Sequence, residues 1–356
     1  MEGVYIGSTT GRSGKSLLSF SLGVMLQKAG YDVGYMKPLG RLPQKKDELM
    51  GDADALVVQE VLGQNAPADV LTPVMIPDNL HALAVHSHDE NAMERIRASY
   101  AELSADKDIT LVSGTGPFPS SGRFVRADGL TLIRELNLKV LLVERFARRF
   151  NFNYDQILLL KDILGPSMMG VVLNDVREEN MRDAETLLRP WLEERGIAVH
   201  AILPHASGLT AMRVLDISHG LEGRVVAGSA HTSRMVGDFL IGTMQVDNFM
   251  MHLRRREGCA VIVGGDRSDL QLAALYANSP CIILTGNIAP SELIRAKAEA
   301  VGVTLVVVKE DTYSVARVMA RILKSKKIRD LNQIRLALSL VENALDLRTI
   351  LDIIHV

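Results

Sequence analysis

At 356 residues the chain exceeds one ordinary core and suits two domains. Hydrophobic residues at 47% against 23% charged make a globular composition, which excludes a chain dominated by disorder. A formal net charge of −2 gives no global pull toward nucleic acid or an anionic membrane, so any anion must be held by a local site.

Short apolar runs alternate with stretches of helical period, the pattern of βαβ units around a parallel sheet. The opening Met-Glu-Gly-Val-Tyr-Ile-Gly has no basic segment, and no later apolar run approaches membrane-spanning length. Strands are predicted at residues 4–6, 33–36, 109–112, 140–143, 169–173 and 199–203. Helices are predicted at 14–29, 52–62, 91–103, 154–164 and 178–195. This is an α/β fold with a doubly wound P-loop sheet as its first domain, expected over residues 1–208. The rhythm weakens through Ser207, Gly208, His219, Gly220 and Gly223, which places a boundary within 206–215. A second, smaller α/β series follows, with strands at 239–243, 260–263, 282–284 and 305–308. After the basic break Lys324-Ser325-Lys326-Lys327, Leu331, Ile334, Leu338, Val341, Leu345 and Ile350 recur at helical spacing. One amphipathic helix over 326–356 is expected, packing on a neighbour or on a second subunit of a homo-oligomer.

Between the first strand and first helix lies Ser8 to Ser13, followed by Gly14-Lys15-Ser16. In a P-loop the backbone N–H groups of Gly11, Arg12, Ser13 and Gly14 surround phosphate oxygens, Lys15 reaches the outer phosphates, and the Ser16 hydroxyl holds Mg²⁺. ATP with Mg²⁺ is the cofactor this implies. Thr9 stands where the usual pattern has its first glycine. The other reading is a helix N-terminus that happens to contain Gly-Lys-Ser.

Over residues 1 to about 205 the chain resembles the dethiobiotin synthetase family. Tyr35-Met36-Lys37-Pro38 is similar to its Lys-Pro segment, which implies that Lys37 sits near phosphates and substrate, with Lys15 and Lys37 as the catalytic pair. Asp52-Ala53-Asp54-Ala55 resembles its Ser-Asp-Ala segment and implies a Mg²⁺ role for Asp54. Gly170-Val171-Val172-Leu173-Asn174 resembles the strand whose asparagine reads adenine, and Ile202-Leu203-Pro204 the Ile-Pro that follows. The family glutamate that contacts the metal is replaced by Ser113, before Gly114. Serine supplies no negative charge to a hard cation, so metal binding and turnover should weaken. Glu144, at the next strand end, is either a substitute carboxylate or a solvated acid. Arg145, Arg148 and Arg149 are expected to face water, with phosphate contact as the alternative. Gly114-Thr115-Gly116-Pro117 follows the third strand, where its glycines either admit a substrate or make a turn.

Residues 213–323 resemble the DRTGG domain, through Val236-Gly237, the run from Gly264-Gly265-Asp266-Arg267-Ser268-Asp269 to Leu275, Leu284-Thr285-Gly286 and Asp311-Thr312-Tyr313. Asp266 is read as a helix cap or a functional acid, and Arg267 and Asp269 as ligand groups or a surface ion pair. A small-molecule effector at this domain is implied. The pairing resembles the N-terminal regulatory region of long bacterial phosphotransacetylases without their acetyltransferase domain.

Cys259 and Cys281 lie in apolar runs with no zinc spacing, and are read as buried reduced thiols on neighbouring strands of a cytoplasmic protein. His81, His86 and His88 are surface or substrate groups, or a metal cluster. Arg254-Arg255-Arg256 is read as a solvated helix end, with no nucleic-acid partner. The functional expectation is an adenine nucleotide-sensing regulatory protein. The alternatives are an ATP-dependent carboxylate-activating ligase of the dethiobiotin synthetase type, or a scaffold with a vestigial P-loop.

Overall fold

The computed structural model describes residues 2–77, 91–147, 152–256, 258–325 and 331–354. The chain divides into two units, one of Met1–His205 with Ile334–Val356 and one of Ala206–Gln333.

The first unit is built on six strands: β1 (Glu2–Gly7), β2 (Val33–Met36), β3 (Ile109–Ser113), β4 (Lys139–Arg145), β5 (Met168–Val176) and β6 (Val199–Pro204). They lie in the order β6-β5-β4-β1-β3-β2 and every neighbouring pair is parallel. A parallel sheet covered on both faces needs apolar residues on both, and Val4, Ile6, Leu111, Val112, Leu141, Leu142, Val171 and Val172 are all fully buried. Helices α1 (Lys15–Lys28) and α2 (Ala53–Val61) follow β1 and the β2 region. Leaving β1, the chain builds β2 and β3 on one side and β4 to β6 on the other. The loops at the carboxyl ends of β3, β1 and β4 therefore part around a crevice, the usual ligand position in open α/β sheets.

Several short elements escape the periodicity. Pro43–Lys46 and Leu49–Asp52 form a hairpin, and Leu39–Gly40 pairs with Val74–Met75. Each is too short and too mixed in polarity to show a period. The helix expected at 178–195 widens into a π turn at Ala184–Leu188 before continuing to Glu193. Pro190 has no N–H to give to the turn behind it, which loosens the helical ladder there.

The C-terminal segment corrects the expectation of a single helix. It forms Leu331–Ala344 and Leu347–Ile354, broken at Leu345 and Asp346. The Asp346 carboxylate accepts from the Arg348 N–H at 3.0 Å, a capping bond that starts a new helix instead of continuing the old one. From Ile334 onward the segment belongs to the first unit. There Lys139 Nζ donates to the Ile354 carbonyl at 3.1 Å, and the Thr349 hydroxyl lies 3.2 Å from His200 Nδ1.

The second unit has five strands: β7 (Arg224–Ala227), β8 (Asp238–Ile241), β9 (Cys259–Gly264), β10 (Cys281–Thr285) and β11 (Thr304–Val307). Their order is β7-β11-β10-β9-β8, with β7 antiparallel at the edge. Strand β7 is only partly buried, which is why its pattern does not stand out from the glycine-rich stretch before it. Cys259 and Cys281 are buried free thiols on the adjacent strands β9 and β10. Among the described residues no helix is long and apolar enough to cross a membrane.

Candidate functional site

The loop from Ser8 to Gly14 leaves β1 at the crevice, and two strands hold it from below. Register places Gly7 beside Leu142 of β4, so Glu144, two residues further along, reaches the loop's start. The Glu144 carboxylate is 1% exposed and accepts from both the backbone N–H and the hydroxyl of Thr9, the latter at 2.8 Å. Arg145 of β4 is level with Asn174 of β5. Asn174 Nδ2 donates to the Ser13 carbonyl at 2.8 Å, while its Oδ1 accepts from the Asp175 N–H. Gly14 is required at this contact. It sits at φ +112, and a Cβ there would lie 2.2 Å from Asn174 Nδ2. Within the loop, Ser13 Oγ donates to the Thr10 carbonyl at 3.0 Å, and Gly11 and Arg12 are exposed, Arg12 in the left-handed region at φ 60.

Lys15 opens α1 and folds back across the loop, donating to Ser8 Oγ at 2.6 Å and to the Gly116 carbonyl at 3.2 Å. Burial lowers its pKa to about 8, Glu144 and Asp54 opposing the shift and Lys37 adding to it. Burial also pushes the Glu144 carboxyl up to about 7, against the Thr9 hydrogen bonds and the Lys15 charge. Ser16 follows Lys15 in the first helical turn, partly exposed.

Lys37, just past β2, is paired with Asp52 at 2.7 Å and lies 3.5 Å from Asp54 Oδ2. Asp52 is the residue that the sequence reading passed over. It is fully buried and accepts from Arg41 N–H at 2.8 Å, Leu42 N–H at 3.0 Å and Asp54 N–H at 2.9 Å, besides Lys37. Burial alone would raise its pKa, but Lys37 and these N–H groups hold it below the usual carboxylate range. The signal was present, since Asp52 stands at the N-cap of α2, where a side-chain oxygen meets orphan N–H groups.

At the end of β3, Ser113 is 2% exposed and level with Ile6 of β1. Gly114 N–H donates to the Ile6 carbonyl at 2.9 Å, and a Cβ on Gly114 would meet Tyr5 Oη at 2.5 Å, so only glycine fits. The Gly114-Thr115-Gly116-Pro117 turn thus packs on β1 and offers Lys15 a carbonyl.

Arg145 is exposed, as expected, and it also makes an ion pair. Its Nε lies 2.9 Å from Asp175 Oδ2, and Asp175 Oδ1 lies 2.5 Å from His205 Nδ1. Despite burial, His205 and Arg145 hold the Asp175 carboxyl low. Arg148, Arg149, His81, His86 and His88 lie outside the described residues. In the second unit the helix Ser268–Tyr276 has Arg267 as its N-cap residue and no side-chain capping bond, which corrects the capping role considered for Asp266. Arg267 instead makes a two-pronged pair with Asp269, at 3.0 and 2.8 Å, as surface ion pairs do.

Comparison with known proteins places these two units among recognisable neighbours. The chain is 27% identical over 290 residues to the phosphate acetyltransferase of Pseudomonas aeruginosa, covering 77% of this chain and 40% of that one. It is 23% identical over 363 residues to that of Nitratidesulfovibrio vulgaris, covering 96% of this chain and 50% of that one. The chain therefore spans half or less of the length of these curated relatives. An ATP-dependent dethiobiotin synthetase of Methanococcus vannielii is 28% identical over 182 residues, covering 49% of this chain and 80% of its own. With residues 2–213 matching the AAA domain and residues 216–322 the DRTGG domain, the chain belongs to the AAA domain family of P-loop proteins, joined to a DRTGG domain.

Proposed function

We propose that the chain is an ATP-binding regulatory protein that senses adenine nucleotide together with Mg²⁺, akin to the N-terminal half of the phosphate acetyltransferases. The observation that carries this reading is the end of β3. Ser113 stands there without a carboxylate, and Glu144, at the end of the next strand in sequence, is turned to Thr9 and tied to it at both oxygens. The loop itself fits a polyphosphate: backbone of Gly11, Arg12, Ser13 and Gly14 around the anion, and Lys15 within the same small space. Ser16 and Asp54 are the groups that would hold Mg²⁺, a thin set because Asp54 also faces Lys37. Bound metal would neutralise charge on the outer phosphates. Lys37 stands beside them as a second cation, and Asn174 reads the base with the second N–H and free lone pair of its amide while keeping its bond to the Ser13 carbonyl. The DRTGG domain is the place for a small-molecule effector, and a cytoplasmic setting suits the two buried thiols. Tighter binding of ATP than of GTP in calorimetric titration is the expected result, with the reverse order removing the adenine assignment.

A ligase of the dethiobiotin synthetase type is the second reading, favoured by the buried Lys37 cluster beside the loop and by the 80% coverage of that relative. Phosphate release separates the two. The sensor reading expects background release from the parent, and tighter Mg²⁺-dependent ATP binding with some release from Ser113→Glu. Substantial release by the parent, unchanged or lowered in Ser113→Glu, overturns the sensor.

A further inference from the structure

Glu144 is buried, lies beside the loop's lysine, and enters the reading above only as an acid that is not available to the metal. Its two oxygens take the N–H and hydroxyl of Thr9, the residue that replaces a glycine in the usual P-loop pattern. The N–H of Thr9 and the hydroxyl that a glycine would lack are thus both matched to one side chain 135 positions away. Among the described residues Glu144 makes no ion pair, because Lys15 is bonded to Ser8 and Gly116 instead. The groups around it are Thr9 of the loop, Lys15 of α1 and Tyr154 of the helix Asn153–Leu164, with Lys37 and Asp54 acting on Lys15 in turn.

We infer that Thr9 and Glu144 form a clamp that positions the phosphate loop, and that Glu144 takes up a proton when a polyphosphate seats on the loop. The inference rests on the nucleotide-binding reading. Phosphates arriving at Lys15 bring several negative charges beside a buried carboxylate that, among the described residues, has Lys15 as its nearby cation, and they now share it. Two anions cannot both stay ionised there at low cost, and the carboxyl is the one able to accept a proton while keeping an acceptor oxygen for Thr9. Its value near 7 in the free protein puts that uptake in the neutral range. The proton comes from solvent and ends on a Glu144 oxygen, and no other bond changes. A folded value raised further by the anion means that affinity is greatest at low pH and falls as pH rises through the neutral range, at most about tenfold per unit.

The test uses the full chain with MgADP. Infrared difference spectra at about pH 7.5, just above the carboxyl's own range, are expected to gain the carbonyl stretch of a protonated carboxyl on nucleotide addition, and Glu144→Gln is expected to lose that band. Lys15 cannot produce it. Glu144→Gln, neutral and still able to accept from Thr9, should bind MgADP at least as tightly as the parent, whereas Glu144→Ala should bind about tenfold more weakly for want of the clamp. Should Glu144→Ala fail to fold, Thr9→Val takes its place, with weakening again expected. Binding without the carboxyl band, or equal loss in the Gln and Ala variants, overturns the inference and leaves the nucleotide reading standing. No binding of MgADP or MgATP by the parent at any pH overturns both.

Discussion

Lys15→Ala is expected to weaken MgATP binding roughly a hundredfold, because a charge-assisted bond to phosphate contributes about 1.5–3 kcal/mol and each 1.4 kcal/mol is a factor of ten. Lys15 is the one loop residue that brings a full positive charge into the crevice, and it does so from a largely desolvated position where the Coulomb attraction is poorly screened. Its present partners, the Ser8 hydroxyl and the Gly116 carbonyl, are neutral, so exchanging them for phosphate oxygens gains energy. The fold should survive, since neither partner depends on the lysine for burial, and circular dichroism should match the parent. Equal affinity in parent and variant would remove Lys15 and the whole loop from the site.

Asp52→Ala should produce the largest loss of stability, about 3–5 kcal/mol, the cost of stranding one partner of a buried ion pair. Three effects coincide there. Lys37 loses its closest counter-charge, the N–H groups of Arg41 and Leu42 lose their acceptor, and α2 loses its cap. Asp54 remains 3.5 Å from Lys37 and limits the damage. The single tryptophan, Trp191, lies in the first unit, so its fluorescence in a urea titration reports on the unit that carries Asp52. The sign with pH follows from the depressed carboxyl. Its stabilisation is complete above the unfolded value of about 3.9 and disappears as pH falls through the lower folded value, so the variant should lose less than the parent on acidification below about pH 4. A variant as stable as the parent would show that Lys37 does not need Asp52.

The parallel sheet of the first unit was legible because strands buried on both faces read as unbroken apolar runs, and β1 to β6 fall at the predicted places. The loop and its lysine were legible for a similar reason, since a strand, a small-polar turn and a helix must follow one another in that order. What escaped depends on partners far apart in the chain. Thr9 looked like damage to a pattern, and nothing local tells that Glu144 answers it. Asn174 was placed at the right strand end, but its bond to Ser13 depends on the positive φ of Gly14 and the registry of β4 with β5. Arg145 is solvated as read, but its pair with Asp175 on another strand was not legible. Asp346 is the opposite case. Its capping signal is local and was overridden by a hydrophobic period that continues through the break.

The two anchors of the loop have a consequence for how it meets a ligand. Glu144 fixes Thr9 and Asn174 fixes Ser13, with Thr10 held between them by Ser13 itself. Between Thr9 and Ser13 only Gly11 and Arg12 remain outside these ties. Ordering a free backbone residue costs about 1–2 kcal/mol, so a slack loop of this length would lose several kcal/mol of binding in closing on an anion. Here most of that entropy has been surrendered during folding, and the ligand meets a receptor already shaped to receive it.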